Sequence, residues 1–130
     1  MKFVNGYIQN WYIHDLISGK YNKLAFHLIL VDRAVEMVER VREDHIMHER
    51  WPVSVKISIK FLSGNKSFNT NYPPAPAPAN DDSNILYSLA EAWTQSEPAQ
   101  CWTDDKVKII VQEIKMTASF GAGSSSRGGG

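Results

Sequence analysis

The stretch from Val53 to Leu62 constrains the fold more than any other part of this chain. Apolar side chains occupy every second position and alternate with serines and lysines. The apolar set is Val53, Val55, Ile57, Ile59 and Phe61, and the polar set is Ser54, Lys56, Ser58 and Lys60. Because successive side chains of a strand point to opposite faces, this period predicts a strand with one buried and one solvated face. Such a strand needs a second layer of structure to cover its apolar face.

Two amphipathic segments supply candidates for that layer. From Asp32 to about Glu49, apolar residues recur at three- and four-residue spacing, which predicts a helix that ends before Trp51-Pro52. Its stripe consists of Val31, Ala34, Val35, Val38 and Val41. A shorter helix is predicted from Asn84 to about Gln95, because Glu97-Pro98 cannot continue it. Its apolar face consists of Ile85, Leu86, Leu89, Ala92 and Trp93.

The remaining apolar segments predict further strands. Residues 7–30 are typical of a hairpin that turns at Ser18–Asn22, and residues 24–30 fit either its return strand or the start of the next helix. Residues 106–116 predict another strand, in which the apolar phase slips between Val111 and Ile114 and indicates a bulge. The expected fold is α+β, with a small mixed or antiparallel sheet and covering helices.

Length and composition indicate one domain of about residues 1–120. The Pro/Ala-rich segment 72–79 is expected to be a stiff loop within it or, alternatively, a ligand for a proline-binding partner. Residues 121–130 are a Gly/Ser-rich tail expected to be disordered. The net charge of zero argues weakly against a strong nucleic-acid binder. A single cysteine and no long apolar run favour a cytoplasmic or other reducing compartment and no membrane association.

Two acidic pairs are the candidate functional residues. Asp81-Asp82 precedes the shorter predicted helix, and Asp104-Asp105 precedes the last predicted strand. Adjacent carboxylates repel each other unless a cation or hydrogen-bond donors compensate, and a hard cation such as Mg²⁺ binds one or two carboxylates. The competing interpretation is that these residues cap a helix and form a turn, where Asp is common. Both interpretations remain open from the residue chemistry.

The order of these pieces resembles the RusA-type Holliday-junction resolvases, which are crossover-junction endodeoxyribonucleases. The resemblance covers residues 51–116, about half of the chain. In that family a strand is followed by an Asp-x-Asp-Asn segment that opens a short helix, and then by an aromatic residue, Asp-Asp and a closing strand. The corresponding pieces here are Val53–Leu62, Asp81–Asn84 and Trp102–Val107.

The resemblance implies a homodimer that binds four-way DNA junctions and cuts them with Mg²⁺ or Mn²⁺ in recombination and repair. By position, Asp81 and Asp105 match the catalytic carboxylates and Asn84 matches the motif Asn. Asp104 is a supporting residue beside Asp105. Ser83 stands where the family has its second motif carboxylate, so it is a weak ligand at best, and Asp82 is the candidate replacement. Tyr87 stands where the family usually has Lys, and the preceding loop is not basic. The alternative is therefore a degenerate RusA-like protein that binds DNA or a partner without cutting.

Overall fold

The computed structural model describes residues 11–74 and 81–120 of the chain. Its elements follow the order β-α-β-β-α-α-β, and the α+β class predicted from the sequence is confirmed. The strands are β1 (Trp11–Tyr21), β2 (Ser54–Phe61), β3 (Gly64–Asn71) and β4 (Ile109–Ser119), and the helices are α1 (Lys23–His48), α2 (Asp82–Gln95) and α3 (Glu97–Gln100). The four strands form one antiparallel sheet in the order β1-β4-β2-β3.

Strand β4 lies inside the sheet and pairs with both β1 and β2. Since both neighbours are antiparallel to β4, β1 and β2 run in the same direction, and α1 makes the crossover of a split βαβ unit. Met116 of β4 lies opposite Ile13 of β1 and Ile57 of β2, so apolar side chains line up across three strands. The register of β4 against β2 shifts between Val111 and Glu113, which confirms the bulge predicted from the apolar phase.

The hydrophobic core lies between the sheet and the helices, and Phe26 of α1 stands at its centre with no exposed surface. Its ring centroid lies 5.4 Å from that of Trp93 in α2 and 5.8 Å from that of Trp102. Phe61 of β2 contributes a further ring at 6.3 Å. Aromatic pairs at these separations are favourable beyond their burial. The cluster therefore joins both long helices, the sheet and the segment that leads into β4.

The predicted hairpin at residues 7–30 is wrong, and the alternative that residues 24–30 begin the next helix is confirmed, because α1 begins at Lys23. Asn22 is the N-cap, and its Oδ1 accepts a hydrogen bond from the Ala25 backbone N–H at 2.8 Å. Ser18–Tyr21, expected to form the turn, belongs to β1, which passes an irregularity between Leu16 and Gly19. The physical reason is that Asn serves in turns and in helix caps alike, and here the cap is formed.

Other boundaries differ in smaller ways. Strand β2 and the end of α2 match the prediction, whereas β4 begins and ends three residues later than expected. The segment 64–71, interpreted from sequence only as polar, forms the edge strand β3. An edge strand packs less of its surface against the core. Phe68 is the one apolar residue of β3, and its ring lies 6.1 Å from that of Trp93. Its composition therefore lacks the alternation that identifies β2.

Part of the predicted organisation lies outside the described residues. The Pro/Ala-rich segment is described as far as Pro74, and the rest of it and the tail at 121–130 are not. None of the helices within residues 11–74 and 81–120 is long and apolar enough to span a membrane.

Candidate functional site

The first acidic pair lies at the N-terminus of α2, where the sequence predicted it. Asp81 is the N-cap residue, and its Oδ1 accepts a hydrogen bond from the Asn84 backbone N–H at 3.0 Å. Its carbonyl oxygen accepts the next backbone bond, from the Ile85 N–H at 3.1 Å. The apolar side chains of α2 that follow, including Ile85 and Leu89, are buried against the core. Asp81 therefore caps the helix, and because the residue is exposed, its carboxylate is also accessible from solvent.

Asp82 is held by a cation from the neighbouring helix. The Nε and a terminal nitrogen of Arg42 in α1 lie 2.8 and 2.7 Å from the same oxygen, Oδ1 of Asp82. This contact places a compensating charge beside two adjacent carboxylates, which would otherwise repel each other. The ion pair also competes with any metal ion for Asp82, because the guanidinium lies against one oxygen of this carboxylate.

Arg42 belongs to a cluster that positions the chain before α2. Its guanidinium carbon lies 5.7 Å from the Trp51 ring centroid, and Trp51 packs edge-on against Tyr72 at 5.5 Å. The Trp51 indole N–H donates to the Pro73 carbonyl oxygen at 2.7 Å. Burial raises the pKa of the Tyr72 phenol, and the nearby Arg42 charge has a smaller effect that lowers this pKa. The cluster fixes where the chain enters the segment leading to Asp81.

The other residues of the first motif are on the surface of α2. Ser83, Asn84 and Tyr87 are all exposed, and the side chain of Tyr87 leaves 69% of its surface accessible. Ser83 and Tyr87 are four residues apart, so they share one face of the helix. The two positions that depart from the family pattern thus neighbour each other in the folded chain.

The second acidic pair forms a turn between α3 and β4. The Asp104 Oδ1 accepts from the Lys106 backbone N–H at 2.9 Å, and its carbonyl oxygen accepts from the Val107 N–H at 3.0 Å. The buried Trp102 donates its indole N–H to the Val107 carbonyl oxygen at 3.0 Å, which anchors the turn to the core. Asp105 is exposed at the tip of this turn. Asp104 is thus the structural member of the pair, and Asp105 is the member presented to solvent.

The two acidic segments are anchored at different points of α1. Asp82 is tied to Arg42, whereas Trp102 packs on Phe26, and these α1 residues are separated by about 24 Å of helix at 1.5 Å per residue. Within the described residues, no three His, Cys, Asp or Glu side chains form a group that could hold a metal ion. The site in which Asp81 and Asp105 share one cation stays a prediction.

The face of the sheet turned away from the helices is polar and carries a set of lysines that the sequence analysis did not single out. We call it the open sheet face and define it by three rows of residues paired across the strands. The rows are Asn69-Lys56-Thr117-Tyr12, Ser67-Ser58-Lys115-His14 and Asn65-Lys60-Glu113-Leu16. The alternation in β2 predicted that Lys56 and Lys60 lie on a solvated face. Strand pairing brings Lys115 and His14 beside them, and this pairing cannot be predicted from the local sequence pattern.

Glu113 is the acidic residue of the open sheet face, and two basic side chains engage it. The His14 Nε2 lies 2.6 Å from one carboxylate oxygen and the Lys60 Nζ lies 3.4 Å from the other. The hydrogen bond from His14 is the main cause that lowers the pKa of the Glu113 carboxyl, and Lys60 adds to it. Lys115 lies over the Tyr12 ring, 4.2 Å from its centroid. Lys56 is exposed between the polar side chains of Asn69 and Thr117.

Comparisons with known proteins bear on the fold alone. No family model and no curated protein matches this sequence. Among solved structures, the chain is similar to one described as a complex of the beta-clamp processivity factor and the little finger domain of PolIV, with a TM-score of 0.54. The match covers 91% of this chain and 94% of that chain at 8% sequence identity. At this identity the two share an architecture, and the match says nothing about what this chain binds.

Proposed function

We propose that this chain is a RusA-like protein that binds branched, four-way DNA. The observation that supports the proposal is how the folded chain sorts the residues of the RusA-type pattern. Trp102, the aromatic residue of the pattern, is buried, whereas Asp81, Asn84 and Asp105 are exposed at an N-cap, a first helical turn and a loop tip. The residues expected to meet a ligand are thus outside, and the aromatic residue is inside.

The arrangement around the first motif favours binding without efficient cleavage. Ser83 contributes no charge where the family has a carboxylate, and Asp82, the candidate replacement, is engaged by Arg42 through two nitrogens. Asp81 uses one oxygen for the Asn84 N–H. A hard cation such as Mg²⁺ binds one or two carboxylates, and a guanidinium beside a carboxylate competes with it for that ligand. The described residues therefore offer a poorer metal site than the family pattern implies.

Metal-dependent endonuclease activity is the second candidate function, and Asp105 is the residue that favours it. This carboxylate is exposed at a loop tip beside Trp102, whereas its neighbour Asp104 is committed to the turn. The endonuclease hypothesis pairs it with the second oxygen of Asp81, because two carboxylates suffice for Mg²⁺ when waters and a substrate phosphate complete the shell. A metal bound there would activate water for attack on the scissile phosphate.

A four-way junction with labelled arms, matched to a linear duplex of the same sequence, tests the proposal and separates the two functions. Binding is measured in EDTA, and cleavage is measured after adding Mg²⁺ or Mn²⁺. Preference for the junction over the duplex supports the proposal, and equal affinity contradicts it. Symmetric cuts that Asp81→Asn and Asp105→Asn both remove establish the endonuclease. Metal-independent binding with no product establishes the degenerate alternative.

A homodimer is part of the proposed function. Three apolar side chains on the outer side of α1 are exposed at helical spacing, with Leu24 at 63%, Leu28 at 59% and Val35 at 37% accessible surface. Such a stripe on a long helix fits an isologous contact, in which the same patch of each copy meets its twin. Leu28→Glu is expected to shift the mass measured by light scattering from dimer to monomer. A wild-type monomer at tens of micromolar protein contradicts this part of the proposal.

The proposed compartment is the cytoplasm or another reducing environment. Cys101 is exposed and unpaired, and it is the one cysteine of the chain. An exposed free thiol is compatible with conditions in which thiols stay reduced. Thiol labelling of the native protein isolated without reductant checks this assignment, because an oxidised or mixed-disulfide state of Cys101 would contradict it.

A further inference from the structure

We infer that the open sheet face is a nucleic-acid surface whose lysines contact the phosphodiester backbone, in addition to the acidic segments that the proposed function assigns to the DNA. The acidic pairs at α2 and at the 104–105 turn are separate from it. The inference rests on the proposed function. It names a surface that contacts the DNA, whereas the proposed function concerns the preference for branched over linear DNA.

The open sheet face has a positive net charge although the chain as a whole is neutral. Three lysines and His14 lie on the open sheet face, and Glu113 is the acidic side chain in its three rows. All other acidic residues of the sequence lie outside these rows. Those on α1 include Asp32, Glu36 and Glu39. A neutral net charge therefore conceals a basic face, which is the footprint expected of a surface that binds a polyanion.

The spacing of the lysines fits one phosphodiester backbone. Lys56 and Lys60 are separated by four residues of β2, or roughly 13 Å of strand. Lys115 lies on the adjacent strand opposite Ser58, the residue midway between them. A DNA strand carries one phosphate per roughly 3.4 Å of helix axis, so the three ammonium groups can meet different phosphates. The intervening Ser58, Ser67, Asn69 and Thr117 are small polar side chains that can donate hydrogen bonds to the same backbone.

The cations differ in how freely they can engage a phosphate. Lys60 already contacts Glu113, so part of its charge is compensated within the face, and His14 contacts the same carboxylate. Lys115 lies over the Tyr12 ring, a contact that leaves its charge uncompensated by a carboxylate. Lys56 is exposed on the interior strand β2. Lys56 and Lys115 are therefore the residues whose removal should cost the most affinity for nucleic acid.

The test compares two double variants that change the net charge by the same amount. Lys56→Gln with Lys115→Gln alters the open sheet face, whereas Lys23→Gln with Arg40→Gln removes two cations from α1. The probe is a fluorescent duplex of about 30 base pairs, alongside a four-way junction, both in EDTA. Binding is measured between 50 and 200 mM salt. Each lost phosphate contact lowers the salt slope by about 0.9.

The sheet variant is expected to lose about 1.8 from the slope of log affinity against log salt, so wild-type affinity falls about tenfold more than that of the variant over this salt range. The α1 variant should keep the wild-type slope. Lys56→Arg with Lys115→Arg should retain binding, because the charge remains. That variant also guards against misfolding as the cause of a loss, since Lys115 packs on Tyr12.

The outcomes separate this inference from the proposed function. If the sheet variant keeps the wild-type slope on both probes, the open sheet face is not the surface, while a junction preference would still support the proposed function. If wild type binds duplex and junction equally and both depend on Lys56 and Lys115, the surface is established and the preference for branched DNA is wrong. Wild type that binds neither probe at 50 mM salt overturns both.

Discussion

Arg42 and Asp82 connect the two long helices through a single carboxylate oxygen. Both the Nε and a terminal nitrogen of the guanidinium lie within 2.8 Å of Oδ1, at the first residue of α2. The same guanidinium approaches the Trp51 ring, so the end of α1, the chain before α2 and α2 itself meet at one cation. Asp82 therefore has a structural role that the acidic composition of its segment conceals.

The Arg42–Asp82 contact should contribute modestly to stability. The two side chains are 33% and 57% exposed, so solvent screens the pair and a coupling energy below about 1 kcal/mol is expected. A double-mutant cycle with Arg42→Gln and Asp82→Asn, measured by urea denaturation, gives this energy. It should decrease in 1 M salt. A coupling near zero at low salt would mean that the two side chains do not form this pair in solution.

Asp81 should behave as an N-cap in stability and, under the endonuclease hypothesis, as a ligand in catalysis. Asp81→Ala removes the acceptor for the Asn84 N–H and should cost about 1 kcal/mol, whereas Asp81→Asn keeps an acceptor and should cost much less. Thermal unfolding measures this difference. In a cleavage assay Asp81→Asn should abolish any metal-dependent cutting, because the amide lacks the charge that Mg²⁺ requires. Unchanged turnover in that variant would exclude Asp81 as a ligand.

Asp44 should make stability depend on acid pH. Burial alone would raise the pKa of its carboxyl, but hydrogen bonds from Arg50 and the Trp11 indole lower it on balance. A group with a lowered folded-state pKa stabilises the fold above its unfolded pKa of about 3.9, and this contribution is lost as pH falls through the folded value. The free energy of unfolding should thus decrease below about pH 4.

Asp44→Asn is the matched variant for this pH dependence. With 8% of the Asp44 side chain exposed, losing its charged hydrogen bonds should cost about 2 kcal/mol at pH 7. Its unfolding free energy should then fall less than that of wild type between about pH 5 and about pH 2. Urea denaturation at several pH values measures both effects. Parallel pH profiles for the two proteins would assign the acid sensitivity to other carboxylates.

The sequence predicted an element correctly where its pattern fits one kind of secondary structure, and incorrectly where the pattern fits both a strand and a helix. Strand β2 alternates strictly between a covered and a solvated face, and no other element fits that pattern. Residues 24–30 fit both the strand and the helix period. They are helical, and Asn22 favours the helix because its side chain caps the first turn through the Ala25 N–H. Strand β3 has one apolar residue, Phe68, and its presence depends on pairing with β2.

The candidate site was predictable in position but not in partners. Asp81 and Asp104 lie at the cap and turn that Asp chemistry suggests, because those bonds are local in sequence. Arg42 is forty residues away from Asp82, and Lys115 reaches the face of Lys56 only through the antiparallel order of the sheet. Contacts of this kind depend on tertiary packing, which local periodicity does not encode.

Restoring the family pattern at Ser83 and Tyr87 is the most direct test of a metal site. The two side chains are exposed and four residues apart, so Ser83→Asp with Tyr87→Lys can be introduced without disturbing the core. The new carboxylate would lie beside the N-cap Asp81 and one residue from Asp82, whose charge Arg42 compensates. The new carboxylate provides a charged ligand for a hard cation, and the new lysine provides a positive charge for the scissile phosphate.

The double variant should gain a Mg²⁺-dependent increase in melting temperature and should cut junction DNA faster than wild type. With Mg²⁺ at about ten times its dissociation constant, binding to the folded state adds about 1.4 kcal/mol. An ion pair between the two introduced side chains would add up to about 0.5 kcal/mol without metal. Ser83→Asn with Tyr87→Lys is therefore the control, because it keeps the size of the side chain but lacks the ligand charge. Equal melting temperatures with and without Mg²⁺ in both variants would mean that the acidic pairs serve as a cap and a turn. In that case the carboxylates would act in folding alone, and the lysines of the open sheet face would remain the candidates for DNA contact.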